Sequence, residues 1–245
     1  MLSVKNISKT YSNNSILNNI DLEVAHRKTL SILGKSGCGK TTLLKIIAGL
    51  VEADDGSIRV KEDDITKMTP QKRGIIYLFQ EAMLFPHLNV FNNMSFGLEI
   101  AGVPKLEIRE KVTHFISELG LAGLEGRMPE ELSGGQKQRV AFGRALILSP
   151  KILLLDEPFG NLDAVTREEM QALYKKVARE HKITSIFVTH DVKEALTVGQ
   201  AFAIMEGGRL DIFHDKKDFL QDPRSGAGKE RSFWTEQYSD GSQDQ

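Results

Sequence analysis

The sequence predicts an α/β fold built on a mainly parallel sheet. Three observations carry that expectation. First, Thr29–Leu33, Ile152–Leu155 and Thr184–Val188 are short, mostly apolar runs, the pattern of strands buried on both faces. Second, such runs alternate with longer helical patterns, as parallel sheets with crossover helices require. Third, the earliest run leads into Gly34-Lys35-Ser36-Gly37-Cys38-Gly39-Lys40-Thr41-Thr42, and then into Leu43–Ala48. That is strand, loop and helix around G-x-x-x-x-G-K-[ST], the setting a phosphate-binding loop needs.

The elements follow in order. Residues 2–8 alternate as a strand, and 16–24 give a second one after a turn at Asn13-Asn14. Tyr11 sits just before that turn. The buried strand and phosphate loop come next, with a helix to about Leu50. Asp54-Asp55-Gly56 reads as a turn and Gly56–Val60 as a short strand. Gly74–Phe79 reads as a buried strand ending at Gln80. From about 89 to 148 the pattern is mostly helical, with breaks at Gly102-Val103-Pro104 and at 120–126, and suggests a helical insertion into the α/β core. Ile152–Leu155 ends in Asp156-Glu157, and a helix spans about 163–180. Thr184–Val188 leads to Thr189-His190, and Asp191 is placed to cap the next helix. Ala201–Met205 and Arg209–Phe213 suggest a hairpin around Gly207-Gly208. Residues 221–245 are polar and Gly/Pro-broken, and are expected to form a mobile tail. Trp234 beside Phe233 lies in it, readable as a docking anchor or as loose packing.

Bulk properties narrow the function. The chain has 245 residues, 40% of them apolar, enough for one large domain with a subdomain. Its 32 basic and 33 acidic residues leave a net charge of -1, so no global field favours nucleic acid or anionic membrane. The single cysteine, Cys38, cannot form an internal disulfide, which fits a reducing cytoplasm. No signal-like leader and no run of about 18 apolar residues is visible, so a membrane role is expected only through partner chains.

The chemistry concentrates at a few positions. Loop glycines turn backbone N–H groups into an anion nest, and the following helix aims its positive end there. Lys40 is placed to reach β/γ-phosphates and Thr41 to hold Mg²⁺. Asp156 and Glu157 end a buried strand, where functional groups of parallel sheets collect. The first suits Mg²⁺, the second an attacking water. Gln80 and His190 also end strands; the Gln80 amide can ligate Mg²⁺ or orient water, and the His190 imidazole can hydrogen-bond near a γ-phosphate. Leu132-Ser133-Gly134-Gly135-Gln136 carries an S-x-x-Q capping box. The box leaves two glycines unexplained, each forfeiting about 1 kcal/mol in a helix relative to alanine. Approach of a phosphate to bare backbone N–H groups is one reason for them, giving a second phosphate-seeking helix start.

The order phosphate loop, Gln80, Leu132–Gln136, Asp156-Glu157, Asp163, His190 resembles the ATP-binding-cassette ATPases over nearly the whole chain to about residue 220. The resemblance implies a P-loop NTPase core in 1–220, with an N-terminal antiparallel β-subdomain and an inserted α-helical subdomain. It implies ATP and Mg²⁺ as cofactors and two ATP molecules sandwiched in a head-to-tail dimer. Tyr11 then resembles the aromatic that stacks on adenine, and Gly34–Thr42 the Walker A loop. Gln80 resembles the Q-loop residue that senses Mg²⁺ and the membrane partner. Ser133, Gly134, Gly135 and Gln136 belong to the signature facing the other copy. Asp156 and Glu157 resemble the Walker B aspartate and catalytic base, Asp163 the D-loop aspartate, and His190 the switch histidine. Lys40, Glu157 and His190 are thus the expected catalytic set; Thr41, Gln80 and Asp156 are the expected metal set.

Phe79–Val90 and Asp156–Asp163 further resemble the ATPases of bacterial importers of sulfate, molybdate, iron, polyamines or sugars. This implies integral membrane subunits and a solute-binding protein as partners, no nucleic acid, and a cytoplasmic location on the inner face of the membrane. Two departures stand out. Many of those importers append a regulatory domain, whereas this sequence has a short tail, so regulation of that kind is not expected. Gly160-Asn161 stands where Ser-Ala-like residues are common. The alternatives are an exporter or lipid-extraction ATPase, and a relative acting on nucleic acid or ribosomes. The last would carry coiled-coil insertions or a second cassette, neither of which is seen. A catalytically dead module is disfavoured by Lys40, Asp156, Glu157 and His190.

Overall fold

A computed structural model describes residues 1–213 and 215–227. Two sheets organise them. The first is four-stranded and antiparallel, in the order β2-β1-β4-β5, from β1 (Leu2–Tyr11), β2 (Asn14–Val24), β4 (Asp55–Val60) and β5 (Asp63–Asp64). The β1–β2 turn is tighter than expected: Ser12 and Asn13 both have positive φ and Tyr11 already pairs with Asn14. That is the two-residue hairpin turn whose twist suits adjoining strands. β4 starts at Asp55, one residue earlier than expected, so Gly56 lies inside it. Its φ is 97°, and a Cβ would stand 2.5 Å from the Lys5 carbonyl oxygen, so the bulged strand needs glycine there.

The second sheet runs β10-β9-β3-β8-β7-β6. It contains β3 (Thr29–Leu33), β6 (Ile75–Leu78), β7 (Ile152–Asp156), β8 (Ser185–Thr189), β9 (Ala201–Glu206) and β10 (Arg209–Phe213). All neighbours are parallel except the β9–β10 hairpin. β3, β7 and β8 are buried at every position, including the polar Thr29, Ser31, Asp156, Ser185 and Thr189. β6 departs from expectation: it is an edge strand with only Leu78 buried, and Phe79 lies past its end, 39% exposed. A strand with a neighbour on one side only is not enclosed, however apolar its sequence.

α1 (Lys40–Ala48) follows the phosphate loop and ends at Gly49. α2 (Val90–Ile100), α3 (Lys105–Glu118) and α4 (Gly134–Leu146) form the inserted helical lobe. α5 (Ala164–Glu180) and α6 (Val192–Val198) connect the later strands. The parallel sheet divides the core. Ile152 and Leu154 face α1 and the antiparallel sheet, whereas Leu153 and Leu155 face the helical lobe and α5. This is the two-residue alternation of a strand buried on both sides.

Past α7 (Lys216–Gln221), Pro223–Ser225 makes a turn of 3₁₀ helix rather than a loose segment. Arg224 ties it down by bonds to Asp211 and Asp222. Residues 222–227 of the segment read as a mobile tail carry this turn and these bonds; the rest of it, with Phe233 and Trp234, lies outside the described residues. Among those residues no helix is long and apolar enough to cross a membrane.

Candidate functional site

Because β3, β6, β7 and β8 are parallel, the residues that follow them emerge on one edge. There a cleft of about 540 Å³ is lined by Tyr11, Ser36, Gly37, Gly39, Lys40, Thr41, Thr42, Gln80, Asp156, Glu157 and His190, with Ile16 from β2. A larger cavity of about 790 Å³, lined by Arg27, Lys175 and Arg179 among others, includes none of these residues. Chemistry, not size, picks the candidate.

The loop is built from its glycines. Gly39, before α1, has φ 112°, and a Cβ there would lie 2.9 Å from both the Ile16 carbonyl oxygen and Leu17 Cδ2. Lys40 is buried, and its Nζ donates to the carbonyls of Gly34 at 2.6 Å and Lys35 at 3.1 Å. The ammonium also stands 3.5 Å from Glu157 Oε1. Gly34, Lys35 and Cys38 thus shape the loop without lining the cleft; Cys38 is half-buried.

Thr41 Oγ1 donates to Asp156 Oδ1 at 3.1 Å, and the Tyr77 hydroxyl donates to Asp156 Oδ2 at 2.5 Å. Burial, and then the Asp156 carboxylate, push the Tyr77 phenol well above its usual range, so it remains a donor. Glu157 has φ 46°, in the left-handed region, held by its N–H to the Val188 carbonyl at 3.1 Å. Such strain concentrates at functional sites. Glu157 Oε2 lies 2.8 Å from His190 Nδ1, and an ionised carboxylate only accepts, so Nδ1 carries the hydrogen of that bond. The carboxylate, hydroxyl and amide oxygens of Asp156, Thr41 and Gln80 form a hard-oxygen set suited to Mg²⁺.

Other residues set the frame. Gln138 of α4 donates to the Pro158 carbonyl at 2.7 Å, linking the helical lobe to the turn after Glu157. Arg167 donates to the Leu162 carbonyl at 2.8 Å and approaches Glu194 at 3.6 Å. Glu194 in turn accepts from Thr189, next to His190, at 2.7 Å. Arg144 donates to the Met83 carbonyl at 2.6 Å and lies over the Phe85 ring, holding the segment after Gln80. Buried Asn93 grips the carbonyls of Phe85, Leu88 and Asn89. None of these was singled out from sequence; apart from Thr189 and Glu194, five residues apart, each partner is distant in the chain or is a backbone atom.

The remaining site residues lie apart. Ser133, Gly134, Gly135, Gln136 and Asp163 do not line the cleft. Ser133 and Gln136 make the full capping box, at 2.9 and 3.2 Å, and Asp163 caps α5 through the Thr166 N–H at 3.0 Å. The glycines separate. A Cβ on Gly135 would stand 2.5 Å from Thr166 Cγ2, so packing within the chain explains that glycine without a phosphate. Gly134 is exposed, and its nearest neighbour would be Leu162 Cδ2 at 3.9 Å, so packing does not explain it.

This geometry has known counterparts. The family model described as ABC transporter matches residues 17–160. The chain belongs to the ABC transporter family. It is 42% identical over 225 residues to the spermidine/putrescine import ATP-binding protein of Clostridioides difficile, covering 92% of this chain and 65% of that one. It is 42% identical to the Fe(3+) ions import ATP-binding protein of Photorhabdus laumondii, over 91% of this chain and 64% of that one. It is 43% identical to the sulfate/thiosulfate import ATP-binding protein of Bacillus cereus, again over 91% and 64%. The chain therefore spans just under two thirds of the length of these curated relatives. A dimeric post-hydrolysis ATP-binding cassette bound to ADP and Pi superposes with a TM-score of 0.77 at 29% identity, covering 88% of this chain and all of that one. The expected α/β class, antiparallel N-terminal sheet and helical lobe are those of this ABC fold.

Proposed function

We propose that this chain is the ATP-binding and ATP-hydrolysing subunit of an ABC importer. The observation that carries the reading is the meeting, in one cleft, of Lys40, the Thr41–Asp156 pair and the Glu157–His190 pair. ATP places its phosphates in the loop 34–42, with Tyr11 at the cleft mouth for the adenine. Lys40 exchanges the carbonyls of Gly34 and Lys35 for β/γ-phosphate oxygens, which also draws it off Glu157. The freed Oε1 accepts a hydrogen bond from the attacking water and orients it, while His190 holds Oε2. Thr41, Asp156 and Gln80 are the residues to hold Mg²⁺, which when bound neutralises phosphate charge. Positioning and charge neutralisation supply most of the acceleration in phosphoryl transfer.

Ser133–Gln136 and Asp163 stand outside the lining of the chain's own cleft, which supports a head-to-tail pair of copies in which they complete the partner's site. The cassette that superposes on this chain is itself dimeric, which supports a pair of copies. Integral membrane subunits and a solute-binding protein are the remaining partners, with the chain at the cytoplasmic face of the membrane. Relatives of nearly equal identity are named for polyamine, ferric ion and sulfate. Solutes of opposite charge served by such similar ATPases assign selectivity to the other subunits.

Phosphate release and binding of a fluorescent ATP analogue by purified wild type and Lys40→Ala test the enzymatic part. Lys40→Ala is expected to lose nucleotide affinity and turnover together; wild-type values for both would refute the site. Copurification of integral membrane permease subunits tests the importer part.

A further inference from the structure

We propose that Tyr77 is a positioning residue that fixes the carboxylate of Asp156 for metal. The inference rests on the nucleotide site just described and concerns a side chain to which that reading gives no part.

Strand register brings the two side chains together. Tyr77 of β6 pairs with Leu154 of β7. Residues of one parity share a face, so Ile75 and Tyr77 lie with Ile152 and Leu154 against the α1 side of the sheet. Asp156 is two residues beyond Leu154, so its side chain emerges on the same face, toward Thr41 at the start of α1. Tyr77 is long enough to reach this diagonal neighbour with its hydroxyl. Shorter or apolar side chains at position 77 would leave Oδ2 without this donor.

The two carboxylate oxygens thus have separate donors, Thr41 on Oδ1 at 3.1 Å and Tyr77 on Oδ2 at 2.5 Å. Two bonds to opposite oxygens fix both the position and the plane of a carboxylate, which one bond cannot do. The Tyr77 ring is itself held, packed at 4.5 Å between centroids against Phe79, next to Gln80. One aromatic pair therefore connects the Asp156 carboxylate to the segment carrying Gln80, another proposed metal-facing group. Partners that orient a metal-binding carboxylate change affinity by about 10- to 100-fold when removed.

The test is Tyr77→Phe, which keeps the ring and deletes only the oxygen. A fluorescent ATP analogue is titrated into full-length protein without divalent ion, and then Mn²⁺ or Mg²⁺ is titrated into the complex. Expected are metal-free nucleotide affinity within about twofold of wild type, and a metal concentration for half-saturation raised by about tenfold. In an Asp156→Asn background, Tyr77→Phe should add less than about twofold, because its route of action is already removed. A merely structural tyrosine would lower the melting temperature and act equally in both backgrounds. Wild-type metal affinity in Tyr77→Phe, or full additivity with Asp156→Asn, would overturn the role of Tyr77 alone. Failure of wild type itself to bind nucleotide would overturn the underlying site as well, so the two failures are told apart.

Discussion

Arg73 stands outside the cleft, yet it sets the far end of the helix that carries Lys40 and Thr41. The side chain is 5% exposed. Its Nη1 donates to the carbonyls of Ile46 and Ile47, each at 2.9 Å, in the last turn of α1. Nε donates to the Met68 carbonyl at 2.9 Å and Nη2 to Thr66 at 2.8 Å. A cation on the final carbonyls also complements the helix dipole. Replacement by methionine keeps much of the volume but deletes four hydrogen bonds, although the Ile46 carbonyl keeps the Gly49 N–H at 3.0 Å. At about 1 kcal/mol per lost bond, partly offset because a buried charge is no longer desolvated, the loss is roughly 3 kcal/mol. In a protein of this size that corresponds to about 6–12 °C in melting temperature. Arg73→Lys should fall between, since an ammonium cannot span four acceptors in one plane. Thermal unfolding followed by circular dichroism reads this, with nucleotide affinity as a second measure of α1. An Arg73→Met protein melting within about 2 °C of wild type, well below that range, would refute the reasoning.

Two further perturbations test the frame around the cleft. Gly135→Ala should destabilise by about 1–3 kcal/mol through its clash with Thr166 Cγ2, and Thr166→Ser should relieve it, whereas Gly134→Ala should leave the melting temperature unchanged or raised while weakening ATP-driven pairing. Melting curves and sizing chromatography of these variants beside wild type separate the effects. Burial holds the Glu194 carboxyl above the usual glutamate range, against the opposing bond from Thr189. Its proton is bound more tightly in the folded state, so stability due to this group falls as pH rises from the ordinary glutamate range through the raised folded value. Glu194→Gln should flatten that part of the stability–pH curve, and an unchanged slope would contradict the assignment.

Local signals carried much of this structure. The loop 34–42 was legible because its motif sits between a five-residue apolar run and a helical pattern. Asp191 and the Ser133–Gln136 box were legible because a cap and its partners lie within three residues. What escaped was set by pairing across the chain. Tyr77 reaches Asp156 over 79 residues through a parallel register that nothing in either segment announces. The edge position of β6 depends on strand order, and apolar content alone could not distinguish it from the enclosed β7. Arg73 reads as an ordinary surface charge until its four backbone acceptors are known. The two signature glycines looked alike in sequence; only the approach of Thr166 separates them.

The central claim is that the cleft is half of a site completed by a second copy. Its most direct measurement is the mass of Glu157→Gln in solution, by sedimentation, with and without Mg²⁺-ATP. Monomers are expected without nucleotide, and stable dimers holding one uncleaved ATP per chain with it. A variant that binds ATP yet stays monomeric at every concentration, or that hydrolyses ATP at the wild-type rate, would contradict it.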